Sequence, residues 1–220
     1  MPAKSTLFNL DRLTIHVEGI TPLLCANPAD MQPEESGATR TKKQQDNAPA
    51  AVARRQSYID GDGHCAFPNV ALFSCIMDAA ELMKLKVGSG RYAPSAASIL
   101  QAGLTFDYET TLTKLVDPKT GKPLTEKDYA IDMRRAVNGN TGGAIVAIRP
   151  RFDTWAANFK LIVDTSNTDC MGVISNYFED ILRFAGMSVG LGAFRAYIKP
   201  RGRNKKSSGG PFGKFTAWIV

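Results

Sequence analysis

The sequence has no apolar run approaching the roughly 18 residues that would cross a bilayer. Its opening Met1-Pro-Ala-Lys-Ser-Thr6 lacks the apolar core of a secretion signal, so a cytoplasmic location without membrane partners is expected. Cysteine is sparse. Cys25, Cys65, Cys75 and Cys170 include no Cys-x-x-Cys pair, which points to free buried thiols. His64, Cys65 and Cys75 lack a fourth zinc ligand, and Cys75 falls inside a helical pattern. Asp60-Gly-Asp62-Gly63 is a turn signature without the rest of a calcium loop, and Val87-Gly-Ser-Gly-Arg91 lacks the Gly-Lys-[Ser/Thr] of a phosphate loop. No metal or cofactor is therefore expected. The two histidines, His16 and His64, stand apart and adjoin no nucleophile–base motif, so an enzyme is not expected.

The most informative absence is acidic. After Asp180 there is no Asp or Glu, while Arg183, Arg195, Lys199, Arg201, Arg203, Lys205, Lys206 and Lys214 follow. The first 180 residues hold 19 basic against 21 acidic side chains, so the net charge of +6 comes entirely from the C-terminal stretch. A polyanion is the economical partner for such a stretch, although a solvated loop carries the same pattern. Gly190-Leu-Gly192-Ala-Phe194-Arg195 and Gly210-Pro-Phe212-Gly213-Lys214 bracket the basic run. Glycine allows positive φ and close backbone approach, which suits a groove for a phosphate chain.

The composition as a whole is ordinary for a soluble globular protein, with 44% hydrophobic and 22% charged residues. Leu13 to Gly19 alternates as a strand that Pro22 prevents from continuing. Residues 27–57 hold Pro28, Pro33 and Pro49, an acidic pair, and the basic residues Arg40, Lys42, Lys43, Arg54 and Arg55. With few large apolar residues, this span reads as a long mobile loop: a basic binding arm or a passive linker. Asn69 is placed to cap a buried helix to about Lys86, carried by Val70, Phe73, Ile76, Met77 and Ala80. A short helix over Ser95–Ala102 and strands at Leu104–Tyr108 and Leu112–Leu115 follow. Ala144–Phe152 and Trp155–Asp164 read as two strands of a hairpin turning at Pro150 to Thr154. Thr168 or Asp169 caps a second helix ending at Gly186 as C′, and Phe215–Val220 is the last strand.

Stripped of insertions this is βαββαβ, a single ferredoxin-like, RRM-like domain over 1–220. Its insertions are the arm at about 27–57 and a strand-rich segment at about 103–135.

A glycine-rich loop between the second helix and last strand of such a core resembles the repeat-associated (RAMP) superfamily, the RNA-binding backbone and processing subunits of CRISPR effector complexes. The colinear set Gly19-Ile-Thr-Pro-Leu-Leu24, Phe67-Pro68, Arg149-Pro150, Gly190-Leu-Gly192 and Gly213-Lys214-Phe215 is similar to short phage- and prophage-encoded proteins of that kind. Pro200 to Gly209 departs from the pattern in length and charge. The resemblance implies a single-stranded RNA-binding subunit, guide-like RNA first, in a bacterial host cell. It further implies that copies stack as an oligomer or filament along the strand, alone or with other effector subunits. The expected binding residues are Gly190, Gly192, Phe194, Arg195, Arg201, Arg203, Lys205, Lys206, Gly213 and Lys214. Arg149 and Arg151 join them from the hairpin, and Arg40, Lys42, Lys43, Arg54 and Arg55 from the arm. A phage single-stranded DNA-binding or annealing protein is the alternative within the same class. A metal-independent endoribonuclease using His16, His64 or Asp30 is the catalytic one.

Overall fold

The computed structural model describes residues 9–28, 48–137, 143–197 and 209–220. Among these the chain runs β1 (Leu10–Gly19), β2 (Leu23–Leu24), α1 (Pro49–Arg55), β3 (Tyr58–Ile59), β4 (Cys65–Pro68), α2 (Asn69–Met83), α3 (Ala96–Gly103), β5 (Leu104–Phe106), β6 (Leu112–Lys114), β7 (Ala130–Val137), β8 (Ala144–Phe152), β9 (Ala156–Asp164), α4 (Thr168–Phe184) and β10 (Phe215–Ile219). The architecture is α+β, with antiparallel sheets throughout.

The largest sheet has the order β10-β1-β9-β5. Alternation sends Ile15 and Val17 of β1, and Phe159, Leu161 and Val163 of β9, into the core. There they meet α2, α3 and α4 through Leu72, Ile76, Leu100, Val173, Phe178 and Ile181. The opposite face carries Arg12, His16, Asn158, Lys160 and Trp218. A second sheet, β2-β8-β7, and a third, β3-β4-β6, complete the fold, and their buried side chains join the same core cluster.

The expected hairpin between Ala144–Phe152 and Trp155–Asp164 does not form. β8 pairs with β7 and β2, whereas β9 pairs with β1 along nine residues and with β5. Both edges of β9 are thus taken, and the chain changes sheets between them at a buried corner. Trp155 fills that corner, its indole donating to the Thr21 carbonyl at 3.0 Å while Gly19 donates to the Trp155 carbonyl at 2.9 Å. Leu104–Phe106, which opens the strand-rich segment expected at about 103–135, pairs with β9 as the outer strand of the four-stranded sheet.

The last part of the expected loop 27–57 is ordered as well. Pro49 stands at the start of α1, where its missing N–H costs nothing, and Ala53 is fully buried. The ends of the span are tied together: Asn27 donates its N–H to the Gln56 carbonyl at 3.0 Å and its amide to the Ser57 carbonyl at 2.9 Å.

Two helix ends also differ from expectation. Asn69 does not cap α2; Pro68 holds that position. The fully buried Asn69 side chain instead donates to the Thr110 carbonyl and accepts from the Thr113 hydroxyl at 2.5 Å, fixing the entry to β6. Nor does α4 stop at Gly186. Asn167 caps its start by accepting from Cys170 N–H, and the helix passes into a π-turn over Ala185–Val189 that ends at Gly190, φ +78°. Gly186 is required for packing, because a Cβ there would strike the Phe215 carbonyl oxygen.

Candidate nucleic-acid interface

Register and alternation build the site. In β7 and β8, Asp132 lies opposite Arg149 and Ala130 opposite Arg151, so Asp132, Arg134, Arg149 and Arg151 share one face of the β2-β8-β7 sheet. Asp132 is buried, and Arg134 donates Nε and Nη2 to its two oxygens. Arg151 Nη1 lies 3.9 Å from the same carboxylate, while its Nε donates to the exposed Asp153 at 2.8 Å. The hydrogen bonds from Arg134 hold the Asp132 carboxyl below the usual range, and the same pairing raises Arg134.

The glycine loop covers this face with two rings. The Arg134 guanidinium lies 4.4 Å from the centre of Phe212 and 5.4 Å from Phe194, and Arg149 lies 5.5 Å from Phe194. Phe194 is held at φ +53°, a left-handed conformation that strains a residue bearing a Cβ. A bridge between Arg195 and Phe212 and the bond from Gly210 N–H to the Arg195 carbonyl, 2.8 Å, join the two halves of the loop. Burial lowers the pKa of Arg149 below the ordinary guanidinium value. Its Nε is buried and has no acceptor among the described residues.

The glycines do something other than expected. A Cβ at Gly192 would collide with the Leu24 carbonyl oxygen and one at Gly213 with that of Leu191, while Gly190 packs against the carbonyls of Gly213 and Phe212. On the side where a Cβ would stand, these glycines meet protein backbone. Arg195 is likewise engaged internally, with Nε donating to the Tyr197 carbonyl at 2.8 Å and Nη2 lying 3.7 Å from Asp78 on α2. Lys214 docks through its backbone, its carbonyl accepting from Ile20 and its N–H donating to the Thr21 hydroxyl.

Of the remaining expected residues, Arg54 donates to Glu126 at 2.9 Å, and Arg54 and Arg55 both lie in the last turn of α1, where cations suit the helix dipole. Arg40, Lys42, Lys43, Arg201, Arg203, Lys205 and Lys206 lie outside the described residues, as does nearly all of the Pro200–Gly209 insert. Arg134 is the residue that sequence reasoning missed. Its signal was the pair Arg134-Arg135 in an alternating run, where one of two successive charges must face inward.

Other titratable clusters lie away from this face, and among the described residues Asp60 Oδ2, His64 Nδ1 and Asp107 Oδ2 are also buried without a hydrogen-bond partner. Asp60, Asp62 and His64 bring their ligand atoms within 4.8 Å of one another, but Lys114 Nζ sits 2.6 Å from Asp62 and 3.5 Å from Asp60 and takes up the charge. His16 Nδ1 is 2.6 Å from the Asn158 side-chain oxygen, and its ring lies 4.5 Å from Trp218. All four cysteines are buried and unpaired, and burial pushes Cys65 and Cys75 up to about 12. No helix among the described residues is long and apolar enough to cross a membrane.

No protein-family model matches the sequence, and no curated protein is significantly similar to it.

Proposed function

We propose that this protein binds single-stranded nucleic acid, RNA first, on the face where the glycine loop meets β7 and β8. One observation carries the reading: three arginines gather around a single buried carboxylate, beneath two loop phenylalanines, and one guanidinium N–H there lacks an acceptor. A phosphate oxygen supplies that acceptor and balances the surplus charge. The half-buried rings of Phe194 and Phe212 offer stacking surface beside it. The glycines act indirectly, by letting the loop pack tightly enough to hold the rings over the arginines.

The sheet order β10-β1-β9-β5, with helices following the first and third of its strands in chain order, supports a ferredoxin-like core made of β1, α2, β5, β9, α4 and β10. In that frame the glycine loop falls between the last helix and last strand, as in the RAMP resemblance. Stacking of copies along the strand belongs to the same reading.

The test is fluorescence anisotropy with labelled single-stranded RNA, single-stranded DNA and duplex DNA at low salt. The expected outcome is preference for single strands, with affinity falling as salt rises by about 0.7 log units per log unit of salt for each neutralised phosphate. The RNA should remain intact on prolonged incubation, since the two histidines stand apart in the sequence beside no nucleophile–base motif and His16 is engaged by Asn158. Absence of binding to any single strand at low salt contradicts the proposal. Cleavage that disappears in His16→Ala or His64→Ala would replace it with the endoribonuclease reading.

A further inference from the structure

β10 is an edge strand, and among the described residues little protects its outer side against pairing beyond Phe215. It has no proline or charge between Phe215 and Ile219, and it exposes a large apolar side chain on each face: Trp218, beside the small Thr216, is 46% exposed on one and Ile219 46% on the other. Among the described residues no strand lies beyond it.

The hydrogen-bond parity shows which backbone groups are free. Val220 N–H donates to Thr14, and the Lys214 carbonyl accepts from Ile20, so even-numbered residues face β1 and odd-numbered ones face away. The outward carbonyl of Phe215 is covered by the close approach of Gly186. Ala217 and Ile219 are left with outward N–H and carbonyl groups, and these admit one self-complementary antiparallel register. Ala217 pairs with Ile219 of a second copy and Ile219 with its Ala217, each pair exchanging two backbone hydrogen bonds. The two-fold axis then falls on Trp218, at a non-hydrogen-bonded site where cross-strand side chains approach most closely.

We propose that two copies of this chain pair through β10 in this register, extending the four-stranded sheet across the axis with Trp218 against Trp218. Base stacking alone would explain an apolar residue on the open face but not the exposed Ile219 on the other. Like charges directly opposite one another would oppose self-pairing, and Phe215–Ile219 itself carries none. The contact is isologous and closed, so it differs from head-to-tail stacking along a strand and stands independently of the nucleic-acid reading.

The experiment is sedimentation velocity on the full chain after nucleic acid has been removed, checked by the ratio of absorbance at 260 and 280 nm. Wild type should sediment at twice the monomer mass. Ala217→Pro removes an outward N–H and leaves the β1 pairing intact, so it should halve the mass with unchanged circular dichroism. Trp218→Lys sets two cations on the axis and should also halve it, deciding the matter if the proline variant fails to fold. Because Trp155 is fully buried whether or not the copies pair, the change in emission on dilution should report Trp218, as a shift to the red when the copies separate. A wild type that stays monomeric at the highest soluble concentration, or a dimer that survives both substitutions, overturns the proposal.

Discussion

The two larger sheets bury different things. Inside the four-stranded sheet lie Ile15, Val17, Phe159 and Leu161, backed by helices, and its charged residues stand on the open face. Beneath the glycine loop, the β2-β8-β7 sheet holds a carboxylate and three arginines, with Phe194 and Phe212 as cover. The first arrangement is what stability alone selects, since apolar burial needs no partner. The second is costly, because charges removed from water must be paired, and replacing such groups with well-packed apolar residues is often neutral or stabilising. Under the proposed function, this half-buried charge cluster, with its unsatisfied donor at Arg149, is the place prepared for a ligand.

The contrast can be broken from either side. Phe159→Ala and Gly213→Ala should each cost about 3 kcal/mol or more, the first by opening a cavity and the second by forcing a Cβ into the Leu191 carbonyl at φ +67°. Urea denaturation should show both losses, with or without nucleic acid present. Asp132→Asn should cost about 1–3 kcal/mol at neutral pH, because the arginines lose their shared counter-ion. It should raise affinity for single strands, since the internal competitor for those guanidinia is gone. In Arg134→Ala/Arg149→Ala the order reverses: affinity at low salt should fall about ten-fold or more and the salt slope should flatten, while the melting temperature moves less than in the glycine variant.

The smallest effect is on acid stability. The Asp132 pKa is depressed in the folded state, so its stabilising contribution is present above the unfolded value of about 3.9 and is lost as pH falls through the folded one. The stability gap between wild type and Asp132→Asn should therefore narrow as pH is lowered from about 6 to about 3 in a series of urea melts. A gap that is constant with pH would mean that Asp132 contributes by shape rather than charge.

Much of the four-stranded sheet was legible in the sequence because it obeys alternation and helical spacing. β1, β9, α2, α4 and β10 fall close to where their patterns put them. Strand pairing was not legible: Ala144–Phe152 and Ala156–Asp164 are adjacent and alternating, and nothing local says that Trp155 turns a corner between two sheets. The glycines were recognised, but not the backbone they pack against. Positive φ at Gly190, Gly192 and Gly213 is a local property, whereas the carbonyls of Leu24 and Leu191 that fill their open sides arrive from elsewhere in the fold. Arg149, Arg151 and Phe194 were named from a basic turn and a glycine motif, and the fold gathers them on one face. Arg134 required the register that sets Asp132 opposite Arg149.

The most direct test of the central claim is ultraviolet crosslinking of the protein to single-stranded RNA carrying 4-thiouridine, followed by mass spectrometry of the crosslinked peptides. The account predicts adducts on the peptides containing Phe194 and Phe212, reduced in Arg134→Ala/Arg149→Ala. Crosslinks that bypass both peptides and gather on the open face of the four-stranded sheet, at His16 and Trp218, would contradict it.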